Sequence, residues 1–311
     1  MCGIAGLIHR NEGGPIGQEM GAMLKALRHR GPDSTGYGLY GEPNDDGRVV
    51  MRMKLAETEE VNSGYSIHGE IEERAAKVEE RLNELGAEVI ETSSPTEYTR
   101  RYVFRYEGDM GKLTDWIQDE HVEILSIGHS LELVKDLGDA DRVSDLYDLG
   151  NISGTHAIGH TRMATESDVD ISSAHPYWAF PYNDVAVVHN GQLTNFWTMR
   201  RQLEHRGHHF NSKNDSELIA VYISDRMDKG DTLEEAMQRS IHELDGVFTY
   251  LVTTSDSLGM AKDTMAAKPM VLYEDDQFVA LGSEEVAIRS IFPHEIDTSD
   301  PYDEEVRVWH R

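Results

Sequence analysis

Met1-Cys2-Gly3-Ile4-Ala5-Gly6 opens the chain, and Cys2 is the only cysteine among 311 residues. Chain ends fray and expose a thiol to oxidation, so the position is costly unless the end of the chain is itself the tool. Initiator methionine is normally removed when the residue behind it is small, which would leave Cys2 as the amino terminus. A thiol of ordinary pKa about 8.5 would then share one residue with an α-amine of about 7.7–8.0, a base poised near neutrality. A nucleophile paired with an N-terminal amine is a variant of the catalytic triad. The competing reading is a small apolar cysteine buried on the first strand. Position alone leaves both open.

Outward from this hexapeptide, Ile4 to Ile8 reads as a short apolar strand. "GQEMGAMLKALRHR" (17–30) reads as a helix, with Met20, Met23, Leu24 and Leu27 at helical spacing. Gly31-Pro32 in "RGPDSTG" breaks it, and a strand is expected from Tyr37 to Tyr40.

Three polar stretches downstream carry residues suited to one chemistry. "GHTRMATES" (159–167) puts Arg162 and Thr165 where a strand enters a turn. A planar guanidinium suits bidentate capture of a carboxylate, although an ordinary salt bridge would also explain it. "VVHNGQLTN" (187–195) ends an apolar strand at Asn190-Gly191. The Asn190 amide and the Gly191 N–H could converge on a developing oxyanion, or the pair could be a plain hairpin turn. "NSKNDSELIA" (211–220) sets Asp215 at the mouth of a helix, as an N-cap or as an anion for an ammonium group.

The 57 acidic residues against 29 basic ones give a formal charge of −28, which repels nucleic acid and anionic membranes. Neither is an expected partner. The excess fits either a high-salt interior, where screening relieves self-repulsion, or an ordinary acidic surface. No run approaches the roughly 20 apolar residues of a membrane span, and the start lacks the basic segment of a secretory signal. A single cysteine excludes an internal disulfide framework and a cysteine-rich zinc site. The expectation is a soluble cytoplasmic protein without a metal site.

Residues 46–131 read as a unit of their own. "VVMRMKL", "EIEERAAKVEERLNEL", "AEVIET", "RRYVFRY", "MGKLTDWIQDE" and "VEILSIG" follow the order β-α-β-β-α-β, the split βαβ or ferredoxin-like pattern. The length leaves open two domains or one domain with an insertion.

"MCGIAG", "RHRGPDSTGYG", "IGHTRMAT", "SAHP", "VVHNGQLTN" and "NDSELIA" occur here in the order seen in class II glutamine amidotransferases, which the chain resembles. Those are N-terminal-nucleophile hydrolases that release ammonia from glutamine. The likeness covers about 1–45 and 125–295, and "MAKD…KPMVLY…ALGSEEVAI" resembles the closing strands of that domain. It implies a four-layer αββα sandwich of class α+β, with Cys2 at the end of a central strand. Of the two divisions it implies the latter: a discontinuous domain, 1–45 and 132–311, interrupted by a 46–131 α+β subdomain. It further implies that Cys2 is the nucleophile and its own α-amine the base, with Asn190 and Gly191 as the oxyanion hole. Arg162 would hold the glutamine α-carboxylate and Asp215 the α-ammonium. Thr165 and the backbone beside Met163 would line the pocket, and Arg30 would brace the N-terminal turn. His175 in "SAHP" is either pocket-lining or structural.

Two departures stand out. Many members carry Thr-His-Gly where this chain has Thr165-Glu166-Ser167, so Glu166 receives no role. The chain also ends at Arg311 with no stretch resembling an ammonia-consuming synthase domain. That resembles the separate amidotransferase subunit of glutamate synthase-like systems, including N-methylglutamate synthase. The expectation is a hetero-oligomer in which this chain binds L-glutamine and carries no cofactor. FMN and any iron–sulfur cluster would belong to the partner subunits. The alternatives are a degenerate, non-catalytic regulatory subunit or another N-terminal-nucleophile amidase.

Overall fold

Along the first strand, Ile4 and Ile8 point to one face and Ala5 and Leu7 to the other, as side chains alternate in any strand. All four are fully buried, so this strand has protein on both sides. Burying each isoleucine is worth roughly 1.5–3 kcal/mol, which ties the start of the chain into the interior. The computed structural model describes residues 2–42, 47–63, 67–118, 122–164, 169–180 and 184–311.

In chain order the elements begin with β1 (Gly3–His9), α1 (Ile16–Ala26), β2 (Ser34–Tyr40), β3 (Arg48–Lys54), α2 (Thr58–Ser63) and α3 (Ile67–Glu84). Next come β4 (Glu88–Ser93), β5 (Thr99–Arg105), α4 (Met110–Ile117), β6 (Glu123–Gly128), β7 (Leu131–Leu137) and α5 (Ala140–Leu146). Then follow β8 (His156–Arg162), β9 (Tyr177–Trp178), β10 (Ala186–Leu193), α6 (Phe196–His205), α7 (Asp215–Asp228) and α8 (Leu233–Glu243). The chain closes with β11 (Gly246–Thr253), β12 (Ser257–Lys262), β13 (Val271–Glu274), β14 (Phe278–Gly282), α9 (Glu285–Arg289) and β15 (Val306–His310).

Two antiparallel sheets face each other. One has the order β13-β14-β1-β8-β2-β7 and the other β15-β12-β11-β10-β9. Ile4, Ile8, Ile158, Val188, Leu251 and Met260 join in the cluster between them. Helices α1, α5 and α9 cover the outer face of the first sheet, and α6, α7 and α8 that of the second. The result is the four-layer αββα sandwich. Helix α7 is buried continuously from Ser216 to Asp225, because α6, α8 and the sheet pack around it.

Residues 48–128 form a third antiparallel sheet of order β4-β5-β3-β6. Along β3, Val49, Met51 and Met53 enter a cluster with Ile71, Val78 and Leu113 of the helices. Arg52 and Lys54 alternate to the other face, which meets the sandwich. There Arg52 Nη2 lies 2.7 Å from Glu132 of β7, and Arg101 Nε lies 2.8 Å from the same carboxylate. Lys54 Nζ contacts Glu123 at 2.8 Å and Ser172 Oγ at 2.6 Å. The unit is thus joined to the sandwich by buried charge on this face as well as by an apolar cluster that runs on through Leu125 and Ile127 to Leu131, Leu133 and Trp178.

Three local readings differ from the sequence expectation. The first helix stops at Ala26, and residues 28–30 form a 3₁₀ turn. The turn brings Arg30 back toward Cys2, a long-range contact that helical periodicity does not encode. The acidic tail supplies β15, which pairs with β12 through Trp309 and Leu258. Strand β7 and helix α5, absent from the sequence reading, complete the edge of the first sheet and its covering layer. No described helix is long and apolar enough to cross a membrane.

Candidate active site

The register of the first sheet assembles one end of the site. Gly3 pairs with Thr161 and Ile4 with His160, so the next step outward sets Cys2 beside Arg162. The half-buried Cys2 Sγ receives the Met163 N–H at 3.4 Å, and the thiol points at Met163 O, 3.7 Å away. Arg162 is 5% exposed on the last residue of β8. Gly31 permits this approach, since a β-carbon there would lie 2.4 Å from the Arg162 carbonyl carbon.

The Cys2 carbonyl is held from two directions. Arg30 Nε donates to it at 2.9 Å and Asn190 Nδ2 at 3.0 Å. Arg30 is itself fixed by Glu284, at 2.5 Å from Nη1. The same Asn190 amide nitrogen lies 3.4 Å from Ser283 Oγ, and that oxygen accepts the Ile4 N–H at 2.9 Å. Ser283 and Glu284 therefore close a ring around the Cys2 main chain. Sequence reasoning gave them no role, although the quoted "GSEEV" contains both. Asp33 is a further addition: its carboxylate accepts the Ala164 N–H at 2.8 Å, and its own N–H donates to Arg162 O at 3.1 Å.

Asn190 reaches Cys2 from the second sheet because it lies on β10 with Val188, facing the first. Gly191 follows with φ +149, a conformation that side chains disfavour, and a β-carbon would meet Val247 O at 2.1 Å. Glycine is thus required beside the amide.

Asp215 begins α7, where Asn214 is the cap: its side chain accepts the Ser216 N–H at 2.9 Å. Asp215 is therefore released from capping. Its Oδ2 accepts the Leu193 N–H at 2.9 Å, and its Oδ1 lies 3.4 Å from His189 Nδ1. Burial works to raise its pKa, but His189 and the N–H donors outweigh burial and hold the carboxyl below its ordinary value. The site keeps an anion there.

His175 is buried behind this carboxylate, 3.4 Å from Ser216 Oγ through Nε2, and stacks on His160 with ring centroids 4.0 Å apart. Burial, with neighbouring imidazole and guanidinium groups, pushes His160 down to about 3 and His175 well below its ordinary value. Both rings are neutral near pH 7. Thr165 and Glu166 lie outside the described residues. Among the described residues no group of three or more His, Cys, Asp or Glu could hold a metal ion.

A thiol at the end of a central strand, between two facing antiparallel sheets with helices outside, defines the N-terminal-nucleophile hydrolase fold. The glutamine phosphoribosylpyrophosphate amidotransferase of B. subtilis, solved with ADP and GMP, shares it: TM-score 0.60, 18% identity, 99% of this chain and 47% of that one. This chain thus spans about half the length of that structure. Residues 160–290 match the family model described as a glutamine amidotransferase domain. A Methanothermobacter thermautotrophicus protein assigned to the glutamine amidotransferases is 36% identical over 96% of this chain and 95% of its own length. The glutamine amidotransferase-like protein GlxB of Rhizobium meliloti is 33% identical over 99% of this chain and 95% of its own. The chain belongs to the class II glutamine amidotransferases, enzymes that hydrolyse glutamine.

Proposed function

We propose that Cys2, made the amino terminus by loss of Met1, attacks the side-chain amide carbon of L-glutamine. Its α-amine takes the thiol proton and passes it to the leaving nitrogen, so that ammonia departs and a γ-glutamyl thioester remains. Water, giving a proton to the same amine, then cleaves the thioester to glutamate and free thiol. Arg162 holds the α-carboxylate of the substrate and Asp215 its α-ammonium. Asn190 and Gly191 receive the oxyanion, and Thr165 with the Met163 backbone lines the pocket. Arg30 braces the turn, and His175 supports the Asp215 side from behind.

The observation that carries this reading is the position of Cys2 Sγ against the Met163 main chain, with Asn190 Nδ2 on the same residue. A zwitterionic amide needs one cation, one anion, a nucleophile and an oxyanion donor, and this set supplies each. Charge-assisted contacts of this kind contribute about 1.5–3 kcal/mol apiece.

The ammonia would pass to a separate synthase subunit of the glutamate synthase type, with FMN and any iron–sulfur cluster in that partner. In support, both relatives above match over 95% of their own length, leaving them little room for an ammonia-consuming domain. Residues 46–131, with their own sheet, would form the subdomain available for docking, and 1–45 with 132–311 the amidotransferase body. The assembly we propose is a hetero-oligomer in the cytoplasm.

The test is mass spectrometry of the purified protein after treatment with diazo-oxo-norleucine. The expected result is a chain starting at Cys2, with a single adduct on that residue and none on Cys2→Ala. An active protein that retains Met1, or the absence of an adduct in the assembled complex, overturns the assignment.

A further inference from the structure

His189 has no part in the scheme above, yet it sits directly behind Asp215. Because side chains alternate along β10, Asn190 turns toward Cys2 while His189 turns toward α7. His189 Nδ1 lies 3.0 Å from Ser216 Oγ and 3.4 Å from Asp215 Oδ1. Its side chain is only 1% exposed. Its other nitrogen, Nε2, is buried without a hydrogen-bond partner and rests against Gly191, 2.8 Å from where a β-carbon would stand.

The surrounding bonds set the direction of the protons. The His189 N–H donates to His175 Nδ1 at 3.4 Å, so that nitrogen carries a lone pair. His175 is neutral, and its proton is therefore on Nε2, which faces Ser216 Oγ at 3.4 Å. The Ser216 hydroxyl accepts there and has Asp215 Oδ1 at 3.5 Å as an acceptor for its own proton. His189 is then left to donate from Nδ1 toward Ser216 Oγ and Asp215 Oδ1. With Leu193 on Oδ2, both carboxylate oxygens are held, and the group keeps 20% of its surface open.

We propose that His189 is a positioning residue for glutamine binding: its Nδ1–H fixes the Asp215 carboxylate in the orientation that receives the substrate α-ammonium, with Ser216 and His175 setting the tautomer. This rests on the assignment of Asp215 to that ammonium.

Glutamine hydrolysis by the full-length protein tests the proposal, with the saturation constant for diazo-oxo-norleucine labelling of Cys2 as a second readout. His189→Phe is expected to raise the glutamine KM about tenfold, as loss of a donor to a charged group does, with kcat within about threefold. His189→Asn puts an amide N–H where Nδ1 stood and is expected to stay within about twofold of the parent KM. His189→Gln reaches the Nε2 position instead and should behave as His189→Phe does. Asp215→Asn combined with His189→Phe should bind glutamine no more weakly than Asp215→Asn alone. Equal KM effects from Asn, Gln and Phe, or an additive double variant, would overturn the role of His189. If His189→Phe does not fold, the Asn and Gln pair decides. Should Asp215→Asn leave KM unchanged, the parent assignment fails. Should Asp215→Asn raise KM while His189→Phe does not, only this inference fails.

Discussion

Asn190 Nδ2 donates to the main-chain oxygen of Cys2 at 3.0 Å, across a sequence separation of 188 residues. The amide proposed to stabilise an oxyanion is thus also a clip on the backbone of Cys2. One of its two hydrogens is engaged by Cys2 O, and the weaker 3.4 Å contact to Ser283 Oγ is the one that can yield to substrate.

Removing that amide should therefore damage both position and charge stabilisation. Asn190→Ala is expected to lower kcat for glutamine hydrolysis by about 10²–10³, the usual effect of losing one oxyanion donor. The glutamine KM should move far less, since Arg162 and Asp215 are untouched. Steady-state kinetics with ammonia detection reads both constants, and a kcat within twofold of the parent would remove Asn190 from the chemistry.

Gly191 offers a stability test beside the same amide. Its φ of +149 and the Val247 O atom 2.1 Å from any added β-carbon leave no room for relaxation. Gly191→Ala should cost about 3 kcal/mol or more, combining backbone strain with overpacking. At this chain length that lowers Tm by roughly 5 °C or more. Gly69→Ala, on α3 with nothing within 4 Å, is the control and should stabilise by about 0.5 kcal/mol. Calorimetry of the two variants separates strain from a general intolerance of alanine.

Much of the architecture could be read from apolar spacing: the alternation around Ile4 and Ile8 and the Met20–Leu27 stripe mark elements that local sequence dictates. What could not be read is where distant segments meet. The Arg30–Glu284 pair joins residues 254 apart, and nothing in "RHRGPD" or "GSEEV" points each to the other. The motif "VVHNGQ" advertised Asn190 and Gly191, yet His189 gained meaning only when β10 lay against α7. Likewise β15 hid in an acidic tail, because five residues of edge strand carry too little periodicity to announce themselves.

The charged junction between the third sheet and the sandwich should hold the two together in a pH-dependent way. Burial opposes ionisation of Glu132, but Arg101 and Arg52 outweigh it and bring the carboxyl down to about 2. A pKa depressed below the unfolded value of about 4.3 means that the stabilisation is full above pH ~4.5. It is lost as pH falls toward 2. Because a fifth of the side chain is exposed, Glu132→Gln should cost about 2 kcal/mol at pH 7, less than a fully buried pair. Urea unfolding at pH 7 and pH 3 checks this: the penalty should shrink at pH 3, and an equal penalty at both would show that the ion pairs are not its source.

A second pH effect comes from the imidazoles, and it sets in nearer neutrality. Burial lowers His156 to about 4 and His160 to about 3, and pushes His175 well below its ordinary value. Unfolded, each ring takes a proton near pH 6.5, whereas the folded protein refuses it, so the unfolded state binds more protons. Stability is therefore complete above pH ~6.5 and declines on acidification through the interval down to about 4. The slope approaches about 1.4 kcal/mol per pH unit for each histidine involved. Glu217 acts in the opposite sense, because burial raises its pKa and the folded state takes up that proton first. The net slope should accordingly lie below three protons and above one. Urea midpoints at pH 7.0, 6.0 and 5.0 measure it directly. A flat profile across that range would mean that the histidines behind the site are not buried neutral, and the fixed tautomer of His175, on which the orientation of Asp215 depends, would go with it.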